Sequence, residues 1–407
     1  MAIDNKDKKI LNVPHLRFPE FSGEWDEHAL SDYLGFKNGL NPDANRIGHG
    51  LPFISVMDIL SDGVINYDNI RSKVEATEKE IECFGVQNGD ILFQRSSETL
   101  EDVGRANVYM DNRTAIYGGF VIRGRKIGNY EPMFFKYLLA TPLARKRTCR
   151  MGAGAQHFNI GQEGLSKISL FFPSLEEQTK IATLLRLIDE RIVTQNKIIE
   201  KQQSLIKGLV DKLMTVLLKG ELYSFSSFYI KAGEGGTPTT SVDEYYSEGT
   251  IPFIKIDDLS CKYLTSNKDF ITELGMQKSS AWLIPSQSVI YSNGATIGAI
   301  SINEYPVCTK QGILGIVPKA NINVEYLYLL MSSSYFSKEV SRIVTEGTMK
   351  TAYLKDINHI KCPLPSMAQQ QNITNLTSSI EEKLSIEQDC LRALNLQKQY
   401  LLRTMFI

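Results

Sequence analysis

The sequence predicts an α+β fold built twice: two pseudo-twofold-related globular domains separated by a long antiparallel two-helix coiled coil. Three observations predict it. Short motifs recur 200 and 192 residues apart. Strand and turn signals follow one another in the same order in both halves. Each half then ends in a long apolar stripe of heptad spacing, and the two stripes share one phase.

The repeat opens with Leu51-Pro52-Phe53-Ile54, answered by Ile251-Pro252-Phe253-Ile254. It closes with Phe172-Pro173-Ser174-Leu175-Glu176-Glu177-Gln178, answered by Leu364-Pro365-Ser366-Met367-Ala368-Gln369-Gln370. Between these lie weaker echoes, Asp90-Ile91-Leu92-Phe93 with Ser288-Val289-Ile290-Tyr291, and Lys136-Tyr137-Leu138-Leu139 with Leu327-Tyr328-Leu329-Leu330. The drift in offset is what loop insertions produce. Short strands bounded by Gly, Asn and Asp are predicted over Ser55–Ile59, Asp90–Phe93, Ala106–Met110 and Phe120–Arg123. Their counterparts are Phe253–Ile256, Ser288–Tyr291, Gly298–Ile302 and Ile313–Val317. One amphipathic helix recurs, Pro132–Arg147 and Val324–Val344.

The long helices follow. Ile181, Leu185, Ile188, Ile192, Gln195, Ile199, Gln202, Ile206, Leu209 and Leu213 step by four and three, an a/d seam. The same register in the second half gives Ile373, Thr377, Ile380, Leu384, Glu387, Leu391, Leu394, Lys398, Leu401 and Met405, a weaker seam. Pro173-Ser174 and Pro365-Ser366 precede the helices, and Ser174-x-x-Glu177 and Ser366-x-x-Gln369 have the spacing of a capping box. Helices of this length cannot bury a stripe on one small domain, so each is expected to bury its stripe on the other. The expected division is 1–173, first globular domain; 174–219, first spacer helix; 220–365, second globular domain; 366–407, second spacer helix.

Composition narrows the function. The chain has 407 residues, 43% hydrophobic and 22% charged, with a formal net charge of -1. That is the profile of an ordinary globular protein. Met1–Leu11 is polar and reads as no signal peptide, and no apolar run is long enough to span a bilayer, so a cytoplasmic location is expected. Six cysteines at 83, 149, 261, 308, 362 and 390 form no C-x-x-C pair, and the five histidines are too sparse to complete a zinc site. Near-neutral charge lends no support to nucleic-acid binding by itself. Basic residues do concentrate locally: ten lie between Arg105 and Arg150, opposed only by Asp111 and Glu131. Such a run is either a DNA-facing surface or a solvated one.

Two dissimilar heads held apart by a rigid spacer would measure a distance along a duplex, where half-sites on one face recur every turn. The layout globular–helix–globular–helix resembles the specificity subunits of type I restriction–modification enzymes. So do the lead-in segment Pro14-His15-Leu16-Arg17-Phe18-Pro19-Glu20-Phe21-Ser22-Gly23-Glu24-Trp25, the string Gly235-Gly236-Thr237-Pro238 before Ile251-Pro252-Phe253-Ile254, and the joints Leu165–Gln178 and Ile357–Gln370. The resemblance covers essentially the whole chain. It implies two target-recognition domains that read a bipartite, asymmetric double-stranded DNA target. It also implies docking of two methyltransferase (modification) subunits and of restriction/translocase subunits, no cofactor, and no catalysis by this chain.

The candidate reading residues are polar side chains in Gly-rich loops at matching places, where binding groups collect. In the first half they are Arg95, Ser96, Arg105, Gln156, His157 and Asn159. In the second they are Ser292, Asn293, Thr296, Lys310, Gln311, Thr348, Lys350 and Thr351. For each, the competing reading is an ordinary loop residue. The partner-helix seam is assigned to Ile181, Leu185, Ile188, Ile192, Ile199, Ile206, Leu209, Leu213, Ile373, Ile380, Leu384, Leu391, Leu394 and Leu401. No Gly-Lys dipeptide exists for a P-loop, and Asn41-Pro42-Asp43-Ala44 lacks the second proline and the aromatic of an adenine-methylase tetrapeptide. Two rivals stay open, a coiled-coil protein-binding scaffold and a stand-alone DNA-modifying enzyme. Intrinsic methyl transfer by the purified chain separates the second; competition by bulk DNA at low salt separates the first.

Overall fold

The computed structural model describes residues 12–154, 156–344 and 350–407. By its internal contacts the chain divides into two units, Met1–Asn196 with Cys390–Ile407, and Lys197–Asp389.

The strands of the first unit are β1 (Asp26–Ala29), β2 (Leu34–Asn38), β3 (Ile47–Ile54), β4 (Ser72–Val74), β5 (Ile91–Gln94), β6 (Ser96–Ser97), β7 (Ala106–Val108), β8 (Ile116–Tyr117), β9 (Val121–Lys126), β10 (Phe158–Asn159) and β11 (Ser169–Phe172). Its helices are α1 (Val56–Ile59), α2 (Glu78–Phe84), α3 (Pro132–Ala140), α4 (Pro142–Cys149), α5 (Gln162–Ser166) and the first part of α6 (Leu175–Leu217). An antiparallel sheet runs β2-β9-β5-β7, a mixed one β4-β3-β8 with β8 parallel to β3, and two ribbons pair β1 with β11 and β6 with β10. The central strand shows why this segment is a strand. Ile91 and Phe93 point into the core beneath α3 and α6, while Leu92, between them, points into a smaller cluster with Ile54 and Tyr117. Alternation with period two feeds two apolar layers from one buried run.

The second unit repeats this. Its strands are β12 (Leu222–Ser224), β13 (Tyr229–Glu234), β14 (Ile251–Ile254), β15 (Tyr263–Leu264), β16 (Asp269–Ile271), β17 (Val289–Ser292), β18 (Ile300–Asn303), β19 (Cys308–Thr309), β20 (Ile313–Pro318) and β21 (Lys361–Pro363). Its helices are α7 (Glu273–Gln277), α8 (Val324–Ser332), α9 (Ser334–Ile343), α10 (Leu354–Ile357) and the first part of α11 (Met367–Thr404). The sheets run β13-β20-β17-β18-β15 and β16-β14-β19, with β12 on β21. On β17, Val289 and Tyr291 enter one core and Ile290 the other.

Two sequence expectations need correction. Ser55–Ile59 is not a strand: β3 ends at Ile54 and the chain turns into α1. The Asp58 carboxylate accepts from the Ser55 N–H and hydroxyl, both at 2.8 Å, so a capping motif stops the strand. Phe253–Ile256 likewise ends at Ile254, with the Lys255 N–H donating to Asp258 at 2.8 Å. The recurring amphipathic helix is two helices in each unit. Thr141 and Ser333 break it in the same conformation, φ -67° and ψ 153°. Each hydroxyl donates backward, to Leu138 and Leu330 carbonyls, and accepts from the N–H three residues on. Pro142 makes the first break obligatory; at the second, Asp211 joins Ser333, its carboxylate accepting from the Ser334 N–H at 2.8 Å and hydroxyl at 2.6 Å.

The long helices have 43 and 38 residues, about 64 and 57 Å at 1.5 Å per residue. In the first unit Ile181, Leu185 and Ile188 share a core with Leu401, Met405 and Phe406, so the beginning of α6 and the end of α11 lie antiparallel there. Lys398 bridges to Asp189 at 2.6 Å. In the second unit Ile206, Val210 and Met214 share a core with Ile373. Along α11 and at Met405 just past its end, the ten residues of the expected seam are all buried or half-buried. Along α6 the buried stripe shifts: Val210 and Met214 are 4% and 1% exposed, while Leu209 and Leu213 are only half-buried. A helix of 3.6 residues per turn walks off a 3.5-residue repeat by about 20° per heptad, which carries the stripe to the next residue.

Each head is tied to its helix by one buried glutamine. Gln178 accepts from the Glu131 N–H at 3.2 Å and donates to the Pro173 carbonyl at 3.0 Å. Gln370, 192 residues on, accepts from the Asn323 N–H at 2.8 Å and donates to the Pro365 carbonyl at 2.9 Å. The capping boxes are less alike. Ser366 and Gln369 cap each other reciprocally. Ser174 accepts from the Glu177 N–H at 3.3 Å, but the Glu177 carboxylate takes a bidentate contact from Arg17 of the lead-in segment at 2.8 and 2.7 Å. Among the described residues no helix is long and apolar enough to cross a membrane.

Candidate nucleic-acid interface

In the first unit the chain leaves β5 through Arg95, and three segments meet on its backbone. The Arg95 N–H donates to the Phe120 carbonyl at 2.8 Å, and its carbonyl accepts from the Ile160 N–H at 3.0 Å. Beside it, Gln94 donates to the Arg105 carbonyl and accepts from the Gly104 N–H at 2.8 and 2.9 Å. The second unit builds the same hub on Asn293. Its N–H donates to the Gly312 carbonyl at 3.0 Å, and its carbonyl accepts from the Ala352 N–H at 2.8 Å. Ser292 donates to the Ala299 carbonyl and accepts from the Gly298 N–H at 2.8 and 3.0 Å. Gly104 and Gly298 both take positive φ, +66° and +102°, and a Cβ on Gly104 would meet the Thr148 methyl at 2.5 Å.

The side chains on this shared backbone differ. Half-buried Arg95 donates through Nη1 to the Gly119 carbonyl at 3.4 Å. Ser96 donates to the Asn159 carboxamide at 2.5 Å, on paired strands β6 and β10, so Arg95, Ser96 and Asn159 form one cluster. Arg105 is exposed and held by Asp102 at 2.7 Å. The Thr99 hydroxyl, and then Arg105, keep the Asp102 carboxyl below its ordinary range. Gln156 and His157 are exposed on the adjoining loop. That loop is closed by Gly154 at φ +146°, where a Cβ would collide with the His157 carbonyl.

In the second unit Thr296, Lys310, Gln311 and Lys350 are exposed and Thr351 is half-buried; Thr348 lies outside the described residues. The Gln311 N–H donates to the Thr237 hydroxyl at 3.3 Å. The expectation that Ser292 and Asn293 face DNA is corrected. They are 0% and 1% exposed, with Ser292 donating to the Gly294 carbonyl and Asn293 to the Ala352 carbonyl, both at 3.2 Å. They hold the loop from inside.

The basic run 105–150 does not make an open cationic face. Arg123 and Arg125 turn onto the Gly85 carbonyl at 2.5 and 2.6 Å. Arg145 donates to Glu101 and Val103 carbonyls, Arg147 meets Glu27, and Arg113 meets Asp68 and Asp111. Sequence reasoning missed Phe120, Asn41 and Thr237, which build the turns beside the hubs. The repeat alone does not reveal the turn, since Gly118-Gly119-Phe120 and the positional counterpart Lys310-Gln311-Gly312 share no residue. Polar and cationic side chains on a fixed backbone can donate to base edges and phosphates. Among the described residues no group of three His, Cys, Asp or Glu stands where it could hold a metal.

Comparison with known proteins gives this constellation a context. The sequence model of the family described as "Type I restriction modification DNA specificity domain" matches residues 23–202 and again 228–396. The chain is similar to the type I restriction enzyme MjaVIII specificity subunit of Methanocaldococcus jannaschii, 24% identical over 413 residues, covering 94% of this chain and 91% of that one. It is also similar to the EcoR124I/EcoR124II specificity subunit of Escherichia coli, 30% identical over 179 residues, 41% of this chain and 43% of the other. Among solved structures, the type I restriction–modification S subunit from M. genitalium shares the fold with a TM-score of 0.56 at 17% identity, over 97% of this chain and 99% of that one.

Proposed function

We propose, since this chain belongs to the family of type I restriction modification DNA specificity domains, that each of its two units reads one half of a split, asymmetric DNA target. One observation carries this reading: the same backbone hub occurs in both units with unlike side chains around it, Arg95, Ser96 and Asn159 in one, Lys310, Gln311 and Lys350 in the other. Equal scaffolds with unequal hydrogen-bonding edges are what two different half-sites require. On this reading residues 1–173 and 220–365 are the target-recognition domains, and helices 174–219 and 366–407 set the spacer between half-sites. Two methyltransferase subunits and the restriction/translocase subunits dock to make the working complex. The chain selects the sequence and the partners do the chemistry. A net charge of -1 means that the isolated chain lacks a bulk attraction for phosphates, so tight binding needs the partner subunits.

The test is genome-wide mapping of methylated sites by the assembled modification complex. Arg95→Ala is expected to relax one half of the target and Lys310→Ala the other. Both variants altering the same half, or neither altering any position, contradicts the reading.

A further inference from the structure

Phe120 is 68% exposed, the most exposed aromatic side chain among the described residues. An apolar ring in water at the tip of a turn costs free energy unless something covers it. Its placement is fixed from every side. The Phe120 carbonyl accepts the Arg95 N–H at 2.8 Å, the Gly118 N–H donates to Ile54 at 3.0 Å, and the Val121 N–H donates back to Gly118 at 2.9 Å. The Asn41 side chain packs against Gly119, its carboxamide oxygen 1.7 Å from where a Cβ would stand. A rigid turn therefore holds the ring out beside Arg95, at the cluster that includes Ser96 and Asn159.

The second unit turns differently at the matching place and carries the opposite chemistry: Gly312 sits at φ +86° and its N–H donates to the Glu234 carboxylate at 2.7 Å. Gly312 occupies the position of Phe120, and exposed Lys310 and Gln311 occupy those of Gly118 and Gly119. Where one head offers an apolar surface, the other offers donors. On the edges of base pairs in the major groove the one methyl group belongs to thymine. We propose that Phe120 is a specificity-determining residue of the first unit and reads a thymine, its ring lying against the 5-methyl group in the half-site contacted by Arg95. This rests on the reading of the first unit as a DNA-contacting head.

The test uses the assembled modification complex and duplexes in which each thymine of the target is replaced in turn by deoxyuridine, which lacks only the methyl. With the unaltered chain, one such replacement in the first unit's half-site weakens binding about three- to tenfold, the effect of uncovering about one buried methyl group and its neighbours. With Phe120→Ala that replacement has no further effect, whereas replacements in the other half-site act as before. Phe120→Leu, still apolar, keeps part of the discrimination. A deoxyuridine penalty unchanged in Phe120→Ala, no sensitive thymine in the half-site, or loss of complex assembly in Phe120→Ala overturns the assignment while the split target stands. A complex that modifies no defined sequence takes down the reading it rests on as well.

Discussion

Arg95 and Asn293 occupy one position in two copies of the same hub, yet the first is half-buried with its guanidinium on the Gly119 carbonyl and the second buries a carboxamide in its own loop. The hydrogen bonds that place the residue are backbone bonds and are indifferent to the side chain. The difference teaches how such a fold can change what it reads without changing how it folds. Main-chain pairing holds the loops, and side chains are free to diverge. The joints behave oppositely. Gln178 and Gln370 bond through their side chains to fixed backbone partners, and they are the same residue in both units.

The comparison breaks first, and most visibly, at those joints. Gln178→Ala strands the Glu131 N–H and the Pro173 carbonyl, and Gln370→Ala strands the Asn323 N–H with the Pro365 and Asn321 carbonyls; each is expected to cost about 2–4 kcal/mol of unfolding free energy, measured by urea titration. Losses that differ by more than about 1.5 kcal/mol between the two would mean that the joints are not equivalent. The hubs come next. Arg95→Ala is expected to weaken specific DNA binding by about 1–3 kcal/mol with the fold intact. Asn293→Ala is expected to leave the Ala352 carbonyl unpaired and cost about 1–2 kcal/mol of stability. An Asn293 variant that alters specificity at full stability would sink the distinction between the two hubs.

Smaller effects sharpen the same contrast. Ser366→Ala removes one side of a reciprocal cap and is expected to lose about 1 kcal/mol. Ser174→Ala, whose Glu177 is already engaged by Arg17, loses roughly half that. Equal losses would show that Arg17 leaves the cap unaffected. Smallest is the ionic term at Lys310. Besides relaxing its half of the target, Lys310→Ala is expected to reduce the slope of log affinity against log salt by about one, because an ammonium brought onto the duplex displaces counterions; an unchanged slope would mean that Lys310 does not reach the duplex.

Much of this architecture was legible before any coordinates. The duplicated Pro-Phe-Ile motif, the Pro-Ser joint and the 4,3 stripe fixed two units and two long helices, because periodicity and repetition survive divergence of the loops. The break at Ser333 was not legible, since it also rests on Asp211, distant in sequence, whose carboxylate takes the Ser334 N–H and hydroxyl. Ser55-x-x-Asp58 carried a readable stop signal that strand propensity masked. Choosing polar residues in Gly-rich loops singled out Arg95, Ser96 and Lys310, which the structure places at or beside the two hubs. It could not see that Ser292 and Asn293 are turned inward, because burial at a strand end depends on Gly312 and Ala352, distant in sequence. It passed over Phe120 because it sought only polar readers.

Exchange of one head tests the independence of the two units most directly. Replace residues 221–366 by the corresponding segment of a relative with a different target, and map the sites methylated by the assembled complex. One half of the target should change to the donor's while the other half is kept. Both halves changing together, or neither changing, would contradict two independently reading units.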